Sequence, residues 1–231
     1  MDYRDRHVIV TGGTGALGTA VVAALLAAGA SCRVPYVNEA EAQRFAHRDH
    51  ARLELVSPGD LTDEAAVARL YAGLPALWAS IHLAGGFAFG PITKTAKADA
   101  MRQVEMNFLT SFLCCRAAVG AMGGNGGRIV NVAARPALEP RTGANMTAYT
   151  ASKAAVAALT VSLAEEVAKD GILVNAVAPS IMDTPSNRAE MPKADFDAWP
   201  KVEEVAATIL FLASPDNKVT RGAIVPVYGR S

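Results

Sequence analysis

Apolar, β-branched runs alternate with helical patterns from one end of the 231-residue chain to the other. Few architectures accept that alternation. His7–Thr11, Ser31–Val37, Leu53–Val56, Trp78–Leu83, Arg128–Ala133, Ile172–Val177 and Ala223–Val227 read as strands. Helical patterns fill the intervals: Gly15–Ala28, a stretch capped by Asn38 and running to Arg48, Thr62 to Tyr71, Asp99–Met122, Thr147–Lys169 and Lys201–Ala213. Gly29, the run Gly123-Gly124-Asn125-Gly126-Gly127 and Asp170-Gly171 stop three of them. The strands are nearly unbroken apolar runs, which a parallel sheet covered on both faces requires. Right-handed crossovers then give a doubly wound sheet. The expectation is an α/β fold: a single domain over residues 1–231, with a seven-stranded parallel sheet and helices on both faces. With 51% apolar residues the chain has enough material for one sizeable core. Residues 86–98, 135–146 and 183–200 are irregular and follow strands four, five and six. Ligands of such sheets bind at the carboxyl ends of the strands, so these loops are expected to wall the site.

The first strand runs into Thr11-Gly12-Gly13-Thr14-Gly15-Ala16-Leu17-Gly18. Gly13-x-Gly15-x-x-Gly18 between a strand and a helix is the context in which this spacing cradles a dinucleotide pyrophosphate at a helix N-terminus. A carboxylate about twenty residues on would read the ribose 2′-hydroxyl of NAD. The second strand instead ends Tyr36-Val37-Asn38, and the first carboxylate is Glu39. That removes a repulsion against a 2′-phosphate without supplying attraction, for which Arg33 and Arg44 are the nearest cations. The cofactor expected is NADP or NAD, with the balance tipped to NADP.

Further on, Tyr149-Thr150-Ala151-Ser152-Lys153 sets a phenol and an ammonium four residues apart, on one helix face. A cation beside the phenol stabilises the phenolate and lowers its pKa from about 10, giving a group able to exchange a proton near neutrality. Alone the spacing fits any amphipathic helix. Its place after strand five, in a chain with a phosphate loop, gives it weight.

With these pieces in register the chain resembles the short-chain dehydrogenase/reductases over nearly its whole length. Besides Thr11–Gly18 and Tyr149-x-x-x-Lys153, the likeness rests on Gly59-Asp60-Leu61, Leu83-Ala84-Gly85, Asn107, Asn131-Val132, Val174-Asn175-x-Val177-x-Pro179, Thr184 and Thr220-x-Gly222-Ala223. The resemblance implies a Rossmann fold and an NAD(P)-dependent oxidoreductase that moves hydride between the nicotinamide and a small carbonyl, alcohol or quinonoid substrate. It implies that Gly12, Thr14, Gly15, Leu17 and Gly18 hold the pyrophosphate and adenosine, Asp60 and Leu61 the adenine, and Ala84 and Gly85 the adenosine ribose. Pro179, Ile181 and Thr184 would touch the nicotinamide end. Tyr149 would be the general acid/base, Lys153 would bind the nicotinamide ribose and tune it, and Asn107 would hold a water linking Lys153 to solvent. A dimer or tetramer through the two long helices is also implied.

Two departures stand out. The family pattern wants glycine at Ala16; the spacing Thr11-Gly12-x-x-Gly15-x-x-Gly18 is nearer that of the extended epimerases and dehydratases, whose chains are usually longer. The serine expected after strand five is Ala134, which cannot donate to a substrate carbonyl. Thr142, Asn145 and Thr147 are candidate substitutes. Dihydropteridine reductases also lack that serine, and Gly15-Ala16-Leu17-Gly18 is similar to their phosphate loop, so quinonoid reduction is one alternative. A catalytically weak nucleotide-binding module is another.

Composition narrows the partners. Lys+Arg and Asp+Glu are 22 each, which leaves no electrostatic footprint for nucleic acid or an anionic membrane. No secretory leader and no spanning helix is read. Three cysteines, an odd count with Cys114 and Cys115 adjacent, point to a reducing, cytoplasmic setting. His47-x-x-His50 lacks thiols nearby and gives no metal site.

Overall fold

In the computed structural model, which describes residues 1–74 and 76–231, seven parallel strands form one sheet among the described residues. They are β1 (His7–Thr11), β2 (Ser31–Pro35), β3 (Leu53–Val56), β4 (Leu77–His82), β5 (Gly127–Val132), β6 (Ile172–Pro179) and β7 (Ile224–Val227), in the spatial order β3-β2-β1-β4-β5-β6-β7. Chain order runs outward from β1 to β3 and then returns to the other side of β1. The direction therefore reverses between β1 and β4, where His7 pairs with Leu77 and Thr11 with His82. The crevice beyond the carboxyl ends of these two strands is the ligand position of a doubly wound sheet.

The helices are α1 (Ala16–Ala27), α2 (Glu39–Arg44), α3 (Glu64–Tyr71), α4 (Lys97–Gln103), α5 (Thr110–Met122), α6 (Arg135–Leu138), α7 (Thr147–Glu166), α8 (Pro185–Glu190) and α9 (Val202–Ala213). Alternation along β1 assigns the two faces. Val8 and Val10 join the core under α1 and α9 with Leu25, Ile209 and Leu212. Ile9 joins the opposite core with Leu70 of α3 and Leu113 of α5. No helix among the described residues is long and apolar enough to cross a membrane.

Several boundaries differ from expectation, and four differences have local reasons. Arg44, not Arg48, ends α2, because Phe45 leaves helical geometry (φ −68°, ψ 121°) and buries its ring in the α1 face. The pattern expected as one helix from Asp99 to Met122 starts at Lys97 and contains a π-helical turn, Val104–Leu109, around Asn107. The loop after β5 holds α6, with Pro136 in its first turn. The loop after β6 holds α8, which starts at Pro185 with Thr184 as its cap. Proline at a helix start and threonine before it are ordinary helix-opening chemistry. Asp183 then pins this segment: its carboxylate accepts from Arg188 (2.5 and 2.8 Å) and from Lys201 Nζ (2.6 Å) at the start of α9. Those two cations hold it well below the usual carboxylate range.

Candidate active site

The turn after β1 presses against the turn after β4. Gly12 adopts φ +65°, and a Cβ there would lie 2.7 Å from Ala84 N. Ala84 N in turn donates to Thr11 Oγ1 at 3.2 Å. Gly18, one turn into α1, faces the same loop; a Cβ on it would sit 2.1 Å from Gly12 O. Gly15 is the N-cap of α1, and a Cβ there would meet no atom nearer than 3.4 Å. Gly12 and Gly18 therefore serve close backbone approach, while Gly15 leaves the helix end open. The first turn of α1 carries no carboxylate. Its free N–H groups and positive dipole end suit a pyrophosphate. Ala16, where the family pattern wants glycine, opens α1 and is exposed at the cleft. Gly18→Ala is expected to cost about 1–3 kcal/mol, because the clash is with backbone. Denaturant unfolding reads that loss, and coenzyme titration reads the loss of the loop.

From this loop a cleft of about 300 Å³ runs to the ends of β5 and β6. It brings together Gly12, Gly15, Leu17, Gly18, Gly85, Tyr149, Lys153 and Pro179, all expected from the sequence. Lys153 projects from α7 and donates from Nζ to Val132 O at 2.8 Å. Burial lowers its pKa to about 8. Burial also pushes the Tyr149 phenol up to about 12. This corrects the expectation that Lys153 holds Tyr149 partly ionised. No hydrogen bond joins the pair among the described residues; desolvation governs both groups and moves each toward its neutral form.

Asn107 is fully buried. Its Oδ1 accepts from Gly86 N at 2.9 Å, and its Nδ2 donates to Gly86 O at 3.0 Å and to Ser152 Oγ at 3.0 Å. Ser152 Oγ donates to Tyr149 O at 2.7 Å. The side chain is a clamp between the turn after β4 and α7. A buried amide must satisfy its own donors and acceptors first. A Cβ on Gly85 would lie 2.6 Å from Asn107 Oδ1 and 3.4 Å from Lys153 Nζ, so glycine there lets the three segments converge.

Other expected residues lie elsewhere. Asp60 is exposed after β3, its Oδ1 accepting from Thr62 N at 2.9 Å, while Asp63 caps α3. Leu61 packs against the core under α3 and α5. Thr184 accepts from Asn187 N at 3.2 Å as the cap of α8, and Ile181 is 44% exposed; neither lines the cleft. Ala134 is buried in the cleft wall, so the donor is absent where the substrate carbonyl is expected. The suggested substitutes do not replace it. Thr142 Oγ1 donates to Glu139 O at 2.8 Å, Asn145 is exposed, and Thr147 lines a separate hollow of about 150 Å³.

The cleft also holds Phe87, Ser180 and Met182, which sequence reasoning missed. Phe87 meets the Tyr149 ring edge-on, with centroids 5.0 Å apart and planes at 84°. Ser180 Oγ donates to Tyr228 O at 2.9 Å and lies 2.7 Å from Ser231 Oγ. Its place directly after Pro179 was the available signal.

A glycine-walled helix N-terminus at the switch point, with a tyrosine and a lysine beside it, defines a class: dinucleotide-binding oxidoreductases with a doubly wound sheet. Residues 6–195 match the short chain dehydrogenase family, and the chain belongs to it. Among its relatives, galactitol 2-dehydrogenase of Rhizobium johnstonii is 37% identical, covering 96% of this chain and 93% of the relative. Cis-4-hydroxycyclohexanecarboxylate dehydrogenase of Sinomonas cyclohexanicum is 34% identical, covering 98% and 96%. A solved short-chain dehydrogenase/reductase from Mycobacterium ulcerans superposes with a TM-score of 0.90 at 27% identity, covering 100% of this chain and 90% of that one. The protein is an oxidoreductase of this family.

Proposed function

We propose that the protein is an NAD(P)-dependent dehydrogenase that interconverts a secondary alcohol and a ketone on a small substrate with an apolar ring or chain beside the reacting carbon. The observation that carries this reading is the meeting of Tyr149 and Lys153 with the glycine loop in one cleft. The nicotinamide dinucleotide, when bound, supplies or accepts the hydride. Gly12, Gly15 and the α1 N-terminus would hold its phosphates, and Lys153 would hold a ribose hydroxyl. Tyr149 gives a proton to the carbonyl oxygen in reduction. A phenol near 12 is protonated at working pH, the form this step needs. Lys153, lowered by burial to about 8, is the neighbouring group that would return that proton. Asn107 and Ser152 position Tyr149 by fixing the turn of α7 that carries it.

The cleft lining is largely apolar, with Leu83, Phe87, Ala133, Ala134 and Met182. With alanine at 134, positioning falls to shape and to Tyr149. The relatives named above act on a polyol and a cyclohexane alcohol, which supports a secondary alcohol carbon as the reacting centre. A second reading is reduction of an already electron-poor quinonoid ring. Ala134 in the wall favours it, since such a ring needs less polarisation than a ketone. The test follows nicotinamide absorbance with both coenzymes against cyclic secondary alcohols, polyols, their ketones and a quinonoid pterin. Turnover on the cyclic alcohols is expected. Turnover on the pterin alone would overturn the alcohol reading in favour of the second. Phe112 on α5 and Val161 on α7 remain exposed, which supports assembly of copies through these helices.

A further inference from the structure

Beside the phosphate loop stands a charge that the strand pattern hides. A carboxylate at the end of the second strand of a doubly wound sheet reads the ribose 2′-hydroxyl. β2 ends without one, and the Tyr36 hydroxyl there donates to Glu39 Oε1 at 2.8 Å. The chain then turns at once into α2, because Asn38 Oδ1 accepts from Glu41 N at 2.8 Å. The turn carries Glu41 back to the phosphate loop, where its Oε1 accepts from Thr14 Oγ1. Among the described residues neither Glu39 nor Glu41 has a salt-bridge partner. Of the two cations considered for a 2′-phosphate, Arg33 is engaged elsewhere and Arg44 folds its Nε back onto its own helix. Arg33 donates to Glu54 (2.8 Å), Leu70 O (3.0 Å) and Ala72 O (2.6 Å). Arg44 Nε donates to Ala40 O at 3.0 Å.

We propose that Glu41, anchored by Thr14, reads the adenosine ribose as a diol and selects NAD(H) against NADP(H). This rests on the dinucleotide reading above and reverses the preference for NADP drawn from Tyr36. The carboxylate is relocated from the strand end to the first turn of the next helix. A carboxylate accepts from a ribose hydroxyl. A 2′-phosphate only accepts and carries a charge of about −1.5 to −2, so it meets Glu41 with repulsion and without a donor.

Titration of the purified protein with NADH and with NADPH, read by nicotinamide fluorescence, tests this. NADH is expected to bind at least about tenfold tighter, the order of effect for like charges near a protein surface. Glu41→Gln keeps an acceptor for Thr14 and removes the charge; it is expected to tighten NADPH about tenfold and so close most of the gap. Glu41→Lys is expected to invert the preference. A purely structural role would weaken both coenzymes alike and leave their ratio unmoved. Equal or tighter NADPH binding by the unaltered protein overturns the inference by itself, as does an unmoved ratio in Glu41→Gln. If neither coenzyme binds, the dinucleotide reading falls first and this inference with it.

Discussion

Tyr149→Phe is expected to lower kcat by about 10²- to 10⁴-fold, the range for removing a positioned proton donor. Coenzyme affinity is expected to stay within about threefold. The substitution deletes one oxygen and keeps the ring that meets Phe87 edge-on. Steady-state kinetics with a coenzyme titration separates the two quantities; kcat within threefold of the unaltered enzyme would remove Tyr149 from the chemistry. The pH dependence carries further information. Burial lowers Lys153 from 10.5 to about 8, so its ammonium form prevails below that pH and fades above it. Tyr149, pushed up to about 12, stays protonated across the same range. If Lys153 returns the proton that Tyr149 gives, kcat/KM for ketone reduction is level below pH 8 and falls above it. Lys153→Met is expected to flatten that fall as well as lower the rate.

The sequence exposes those parts of this architecture that depend on local pattern. The central strands show as apolar runs, since a parallel sheet buries both their faces, while β2 and β3 toward the edge carry Arg33 and Glu54. The glycine loop shows because its demands are steric: Gly12 needs a positive φ, and Gly18 needs the absence of a Cβ. Tyr149 and Lys153 show because a helix fixes their spacing. What stays hidden depends on contacts between distant segments. Whether Lys153 faces Tyr149 or Val132 O is decided by where β5 ends against α7. The π-turn at Asn107 lies in a helix apolar around most of its circumference, so a one-residue shift in hydrogen bonding leaves no trace in the period. Thr184-Pro185 is legible as a helix-opening pair by local chemistry, and Thr184 is the cap of α8. Glu41 meets Thr14 from 27 residues away, a contact no spacing rule announces.

Acidification from pH 6.5 to 4 is expected to cost the fold about 3 kcal/mol through one histidine. His82, at the end of β4, is completely enclosed. Asn131 Nδ2 donates to Thr160 Oγ1 at 2.9 Å, which leaves Asn131 Oδ1 as the acceptor for His82 Nδ1–H at 2.8 Å. His82 Nε2 then accepts, from Ser80 at 2.8 Å or Tyr71 at 3.3 Å. Cys115 Sγ lies 3.6 Å from Nδ1, and Cys114 stands beside Tyr71. The ring is thus neutral with a fixed tautomer, and no carboxylate is among these neighbours to compensate a charge. Burial lowers its pKa from 6.5 to about 4. Between those values the unfolded chain binds a proton that the folded chain refuses, so stability is full above 6.5, falls as pH drops, and loses nothing more from this group below 4. A separation of about 2.5 pH units corresponds to about 3 kcal/mol. Denaturant unfolding at pH 7.5, 5.5 and 4.5 measures the slope. In His82→Gln the slope across this window should shrink by that amount, whatever the variant's absolute stability; an unchanged slope would show that other groups carry the acid sensitivity. The network reaches Thr160 of α7, the helix that bears Tyr149 and Lys153. Loss of packing around His82 would therefore loosen α7 while Tyr149 and Lys153 keep their protons. An acid loss of activity that tracks unfolding, and is reversed by neutralisation, is the signature that separates this cause from titration of the site.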